Sequence, residues 1–296
     1  KCVFSSEIDN SAKKTYEMNF GEVPFGDIKE FTKTSISDKR LNELIPDHDI
    51  LAAGFPCQPF SLAGVSARNY LGKEHGFGDD NQGNLFFDII RIAKVKRPKV
   101  LFLENVKNLK SHDKGKTFET INEMILELGY SFNFAIINSN TEVPQRRERT
   151  YMVCFRNEVD FLFPNFDGEP LPLKSILEEN VSEEYTISDK LWLGHQNRSK
   201  RNKERGTGFT VKLADLNKPS NTIVARYYKD GKECLIPQDN KNPRKLTPRE
   251  CARLQGYPEK FKLSNSKTAA YRQFGNSVSV PVIEKISKEI VKKLDN

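Results

Sequence analysis

The chain has 296 residues, 37% of them hydrophobic and 29% charged, enough apolar material for one large domain or two unequal ones. Lys and Arg outnumber Asp and Glu by 47 to 40, a formal charge of +7, so a polyanionic partner such as nucleic acid fits better than an acidic-surface function. The five cysteines and four histidines are scattered, which argues against a disulfide framework and predicts no metal, and with no membrane-length apolar run or signal peptide the expectation is a cytoplasmic protein.

Residues 49–54 (DILAAG) read as a buried strand. Leu85, Ile89 and Ile92 share one helical face, and Pro98 ends that helix. Residues 99–103 (KVLFL) form a second continuous apolar run. Phe118, Ile121, Ile125 and Leu128 are spaced for a helix closed by Gly129. Tyr130, Phe132, Phe134 and Ile136 alternate as in a strand, and so do Tyr151, Val153 and Phe155. Strands alternating with helices predict a parallel α/β sheet, with the last two strands as an added edge hairpin. After about residue 178 the texture changes: 195–205 is polar and basic, 220–236 reads as short strands around Asp230-Gly231, and no strong helical signal is present. Val282, Ile286, Ile290 and Leu294 then mark an amphipathic helix that returns to the first sheet. The expected division is residues 1–177 completed by 272–296, with a second domain over 178–271.

Five stretches carry polar chemistry. GFPCQPFS (54–61) follows a buried strand, and ligands of open parallel sheets sit beyond such strand ends, so its turn presents Cys57 there. ENV (104–106) puts Glu104 at the end of the neighbouring strand, where a carboxyl can stay protonated and donate. QRRER (145–149) alternates Arg147 and Arg149 onto one face, able to hold a carboxylate, a carbonyl oxygen or a phosphate. RKLTPRECARLQGYP (244–258) reads as a helix opened by Thr247 with Pro248 at its first position, and FGNSV (274–278) follows. Singly, each has a bland reading: a structural cysteine, a helix cap, a solvated charge run, a capped helix.

In this order the five stretches resemble the motif series of the DNA (cytosine-5)-methyltransferases, and most nearly the bacterial restriction-modification enzymes of the HhaI methyltransferase type. PDHDILAAGFPCQ (46–58), NLFFDI (84–89) and RPKVLFLENVKN (97–108) look like the same subgroup; 180–243 is the least similar part. The resemblance implies an α/β fold: a doubly wound, Rossmann-like S-adenosyl-methionine-dependent methyltransferase domain with a smaller, mostly β target-recognition domain. It implies Cys57 as the nucleophile that adds to cytosine C6, Glu104 on N3 and the exocyclic amine, and Arg147 on O2 and supporting the glutamate, with Arg149 and Gln145 steadying the cluster. It implies S-adenosyl-methionine as donor and S-adenosyl-homocysteine as product, held by Glu7, Ile8, Asp27, Ile28, Pro56, Leu85, Asn276 and Val278. Double-stranded DNA is the implied partner of a monomer that flips its target base, with a cognate endonuclease as genetic partner. Candidate DNA contacts are Ser61 and Arg68 in the loop after Cys57, the Thr222-Ile223 pair, Arg226, Tyr227 and Tyr228, with Lys200, Arg201, Lys203 and Arg205 as phosphate contacts or solvated charges.

Two departures are visible. The family begins with a strand and glycine-rich loop before the acidic strand end, whereas Lys1 already sits just ahead of SSEID (5–9); Gln82 stands where relatives carry Arg. The expectation is that the glycine-rich piece lies upstream of Lys1; the alternatives are a DNA-binding relic or split-enzyme subunit without the full donor site and, separately, a tRNA cytosine-5 methyltransferase, although the Cys-Phe-Thr stretch of the latter group is absent. Thymidylate-synthase-like chemistry shares a Pro-Cys turn but not ENV or QRRER.

Overall fold

The computed structural model describes residues 1–56, 85–206, 208 and 210–295. In chain order the first helices are α1 (Asn10–Phe20), α2 (Lys29–Thr32) and α3 (Asp38–Leu44). Asp9 caps α1 by accepting the amides of Ser11 and Ala12, Gly21 ends it in the left-handed region at φ 73°, and Ser37 caps α3. Then come β1 (Ile50–Gly54), α4 (Leu85–Lys96), β2 (Val100–Val106), α5 (Lys116–Glu127) and β3 (Asn133–Asn138), followed by β4 (Gln145–Arg146) and β5 (Glu148–Phe155).

These strands form a four-stranded sheet in the order β1-β2-β5-β3. β1 runs parallel to β2, while β5 is antiparallel to both β2 and β3. β5 and β3 form the expected antiparallel hairpin at the edge of the sheet, with β5 as its inner strand, pairing with β2 from Val106↔Arg149 to Val100↔Phe155. The reason lies in burial on both faces. Tyr151, Val153 and Phe155 face one side, Met152 and Cys154 the other, and all are at most 2% exposed. β3 takes the edge because Phe134 and Ile136 are each 38% exposed.

The pleat of β2 distributes the core. Leu101 and Leu103 pack with Phe86, Phe87 and Ile90 of α4 and with Ile121, Met124 and Ile125 of α5. Val100 and Phe102 face the other side, where they meet Tyr151, Val153, Phe161 and the C-terminal helix. That helix buries Val282, Ile286 and Ile290, as its spacing predicts. Each such fully buried side chain contributes roughly 1.5–3 kcal/mol through loss of apolar surface.

The later elements are α6 (Asp189–Glu204), β6 (Ser220–Asn221), α7 (Tyr227–Asp230), β7 (Leu235–Ile236), β8 (Arg244–Lys245), α8 (Pro248–Leu254), α9 (Lys267–Asn276) and α10 (Val280–Leu294). A second hydrophobic cluster joins Leu173, Ile223, Tyr227, Leu246, Leu254, Tyr271 and Phe274. Strand here is limited to two-residue segments, and the longest element before α9 is the 16-residue α6, which the sequence reading lacked. Its only fully buried side chain is His195, so there is no apolar periodicity to read; the Ser188 hydroxyl, accepting the Leu191 amide, starts it instead. Asp230-Gly231 is the left-handed end of α7 rather than a hairpin turn. No described helix is long and apolar enough to cross a membrane.

Candidate active site

β1 and β2 are parallel, so their C-terminal ends open at one edge, with Gly54 directly opposite Glu104. A Cβ on Gly54 would lie 3.4 Å from Glu104 Oε2, so the missing side chain leaves the carboxyl its space. Arg149 Nε reaches Glu104 Oε1 at 3.1 Å, with the two side chains 14% and 20% exposed. Burial raises the Glu104 pKa, and the opposing pull of Arg149, then Arg147, does not cancel it. A half-desolvated carboxyl held in this way can both donate and accept a proton.

Asn105, 2% exposed, links the two strand ends. Its Nδ2 donates to the Phe55 carbonyl at 2.8 Å and its Oδ1 accepts the Val106 amide at 2.8 Å. The residue after β2's glutamate thus fixes the carbonyl directly ahead of Pro56. Cys57 itself lies outside the described residues, as do Ser61, Arg68 and Gln82. Pro56 is exposed at the end of the preceding strand.

The assignment of Glu104 support to Arg147 is corrected. Glu104's direct partner is Arg149, whereas Arg147 is 3% exposed and turns to three main-chain carbonyls, those of Ile223, Gly275 and Ser277. Burial, with Arg149 alongside, brings its guanidinium down to about 10, so it stays charged at neutral pH. Gln145 is wholly buried; its Nε2 donates to the Leu254 carbonyl and its Oε1 accepts the Ile223 amide. Arg147 and Gln145 therefore stitch 223, 254 and 275–277 to the strand that carries Arg149. Alternation placed both arginines on one face, but Arg147 falls in the break between β4 and β5, so the two side chains diverge. Gly275 is required in this stitch, because a Cβ there would overlap the Val224 backbone. Tyr257 Oη and Ser277 Oγ, 2.7 Å apart, close the same corner.

Of the other predicted DNA contacts, Ile223 and Tyr227 are both fully buried. Ile223 sits in the second cluster, and the Tyr227 hydroxyl donates to the Cys234 carbonyl and accepts the Leu246 amide. These two are corrected to core positions: neither side chain reaches a duplex. Thr222 is partly buried and donates to the Arg146 carbonyl, Tyr228 is partly buried, and Arg226 is exposed.

SSEID and GDI come together through a parallel bridge, Ser6↔Phe25, with Glu7 N donating to the Phe25 carbonyl at 2.9 Å. Glu7 Oε1 accepts the Asp9 amide, Asp27 Oδ1 accepts the Lys29 amide, and Ile8 is 71% exposed between them in sequence. Ile28 packs into a small cluster with Leu41, Ile45 and Ile92. Leu85 begins α4 and is partly buried, Asn276 ends α9 and is exposed, and Val278 is partly buried. Asn105, Gly54 and Gly275 were not singled out from sequence. Asn105 lay inside ENV, but only coordinates reveal that its amide bridges two strands.

The profile of the C-5 cytosine-specific DNA methylases matches residues 1–292. Among curated proteins, the chain is 51% identical to the type II methyltransferase M1.ScrFI of Lactococcus lactis subsp. cremoris, covering 100% of this chain and 73% of that one. It is 40% identical to the type II methyltransferase M.HhaI of Haemophilus parahaemolyticus, over 100% of this chain and 89% of that one. Among solved structures, the S. pombe Dnmt2 methyltransferase aligns with TM-score 0.74 at 17% identity, over 100% of this chain and 92% of that one. The Entamoeba histolytica methyltransferase EhMeth aligns with TM-score 0.71 at 20% identity, over 99% and 90% of the two chains. These two likenesses establish a shared α/β fold.

Proposed function

Because the chain belongs to the C-5 cytosine-specific DNA methylase family, we propose that it methylates C5 of cytosine in a specific duplex DNA sequence, with Cys57 as nucleophile and Glu104 and Arg149 as its partners on the base. The observation that carries this reading is the Glu104–Arg149 pair at the shared edge of β1 and β2, three residues from Cys57 along the β1 side.

Cytosine C5 is a poor nucleophile and must first be made enamine-like. The Cys57 thiolate adds to C6, breaking the C5–C6 double bond and pushing its electrons toward N3. Burial raises the Glu104 pKa, which favours its acid form, and from that form the carboxyl gives a proton or hydrogen bond to N3. Arg149, already at the carboxyl, would share the base with Glu104 through O2, and Arg147 would hold the strand from behind. After C5 has been alkylated, a base takes the C5 proton and the C–S bond breaks, which restores aromaticity and frees Cys57. The reacting atoms lie inside the stack, so the target nucleotide is rotated out of the duplex.

S-adenosyl-methionine, when bound, supplies the electrophilic methyl group. The residues fit such a donor: Glu7 and Asp27 each keep a carboxylate oxygen beyond their local amide bond, and exposed Ile8 offers an apolar face for a purine. Glu7 would hold ribose hydroxyls and Asp27 an exocyclic amine, with Pro56, Leu85, Asn276 and Val278 completing the surround. In this reading 1–177 with 272–296 is the catalytic unit and 178–271 the target-recognition unit. The type II names of the relatives favour a cognate endonuclease as genetic partner.

The test is labelled methyl transfer from S-adenosyl-methionine to duplex DNA, tRNA and free nucleotide, followed by mapping of 5-methylcytosine. Transfer to duplex DNA alone is expected. Cys57→Ser is expected to abolish turnover while S-adenosyl-homocysteine binding by calorimetry is retained. Full activity of that variant removes the nucleophile assignment, and transfer to tRNA alone removes the DNA assignment.

A further inference from the structure

Helix α6 has a face that no other described residue engages. Its inner side is set by His195, whose Nε2 lies 3.0 Å from the Asp230 carbonyl, and by Ser199, whose hydroxyl accepts the Val211 amide at 2.8 Å. At about 100° per residue, Arg198, Arg201 and Arg205 fall together on one flank, roughly 60–120° around the axis from His195. Lys200 and Lys203 fall on the opposite flank. All five are exposed.

None of these five side chains forms an ion pair or a side-chain hydrogen bond among the described residues. On α10, by contrast, three lysines are matched: Lys285 pairs with Glu142, Lys288 with Glu284 and Lys292 with Glu289. On α6 the acids are Asp189, which accepts from Asn242 at the far end, and Glu204. Five cations gathered within eight residues repel one another, so an unpaired cluster costs stability unless a polyanion meets it. The arginine stripe spans roughly 10 Å along the helix, and one strand of B-DNA presents a phosphate about every 3.4 Å of axis, so the stripe is long enough for three guanidiniums to reach separate phosphates of one strand. Guanidinium forks suit phosphate oxygens geometrically as well as in charge.

We propose that the Arg198–Arg201–Arg205 face of α6 docks on the phosphodiester backbone of duplex DNA, supplying affinity and register but no base readout. This rests on the DNA reading above and adds to it a surface distinct from the site at Glu104. The charge complementarity favours a nucleic-acid backbone, and DNA in particular because the chain belongs to the C-5 cytosine-specific DNA methylases.

The test uses the full chain and the triple variant Arg198→Gln, Arg201→Gln, Arg205→Gln, whose side chains lie outside both cores. Affinity for a mixed-sequence duplex is measured from 50 to 200 mM salt, where the stated range is roughly that over which phosphate contacts are diagnostic. With about 0.9 counterions released per phosphate, losing three contacts makes the log–log slope shallower by roughly 2.7. The variant's affinity deficit then shrinks by roughly 40-fold across that fourfold salt range. Turnover at saturating duplex is expected to be unchanged, as is the preference for a methyl-accepting sequence over a random one. An unchanged slope overturns the proposal, whether or not affinity falls. So does an equal slope change from Lys288→Gln with Lys292→Gln, which would reduce the effect to net charge, and so does a loss confined to structured RNA. Wild-type methyl transfer is followed in parallel: its absence speaks against the function proposed above, while the slope still reports on the surface.

Discussion

Glu250 in the second core and Glu104 at the end of β2 are both removed from bulk water, and their surroundings treat them differently. Glu250 is 0% exposed and takes donors on every side: both terminal nitrogens of Arg244 at 2.8 and 2.9 Å, the Thr247 amide at 2.7 Å and the Glu178 amide at 2.9 Å. Glu104 is 20% exposed, has Arg149 for its ion-pair partner, and burial pushes its pKa upward. A saturated carboxylate is a structural joint with nothing left to offer a substrate. An under-satisfied one has unspent hydrogen-bonding capacity, which is what general acid chemistry needs. The contrast extends to their regions. The sheet is held by continuous apolar faces, so its strand ends are free for chemistry, whereas the region after residue 178 has little regular strand and relies on buried polar joints such as Arg244–Glu250 and the Tyr227 hydroxyl.

Three substitutions sharpen or break this contrast. Glu250→Ala leaves the Arg244 guanidinium buried without its partner and is expected to cost about 3–5 kcal/mol, read as a fall in the urea midpoint. Glu104→Ala in the same assay should cost far less; equal losses would erase the distinction between joint and reagent. Asn105→Ala leaves the Phe55 carbonyl without its donor, for about 1–3 kcal/mol. Its turnover with duplex DNA should fall tenfold or more while S-adenosyl-homocysteine binding is kept, and wild-type turnover would show that the bridge between strand ends is dispensable. The smallest effect is a pH linkage. A glutamate whose folded pKa is raised binds more protons in the folded state, so its contribution to stability is greatest below the ordinary glutamate range and is lost as pH rises through the raised value. The stability of wild type minus that of Glu104→Gln should therefore decline across that window. A difference that rises with pH would mean that Arg149 outweighs burial.

The ends of β1 and β2 were legible because two continuous apolar runs, DILAAG and KVLFL, demand strands buried on both faces, and each is followed at once by polar residues. α10 was legible for the same reason: Val282, Ile286 and Ile290 repeat at helical spacing. Which strand of the edge hairpin lies inward was not legible, because alternating Tyr151, Val153 and Phe155 suggested one buried face, while Met152 and Cys154 bury the other. α6 was missed because its stabilisation comes from a cap and a buried histidine rather than from an apolar stripe. Ile223 and Tyr227 were read as outward-facing because pairs such as Thr-Ile and Tyr-Tyr carry no sign of which way a short, irregular segment turns.

The sequence by itself determined which residues could do chemistry, since a Pro-Cys turn, a strand-end glutamate and a pair of arginines carry their reactivity wherever the chain places them. It also determined the sheet's core, because burying long apolar runs is the dominant favourable term. Only the tertiary structure decided how the two arginines divide their work. One residue of displacement at the β4–β5 break sends Arg149 to Glu104 and Arg147 to the carbonyls of 223, 275 and 277. Hydrogen bonds between segments 76 to 130 residues apart depend on distance and angle, and those are properties of the packed molecule rather than of any local stretch of letters.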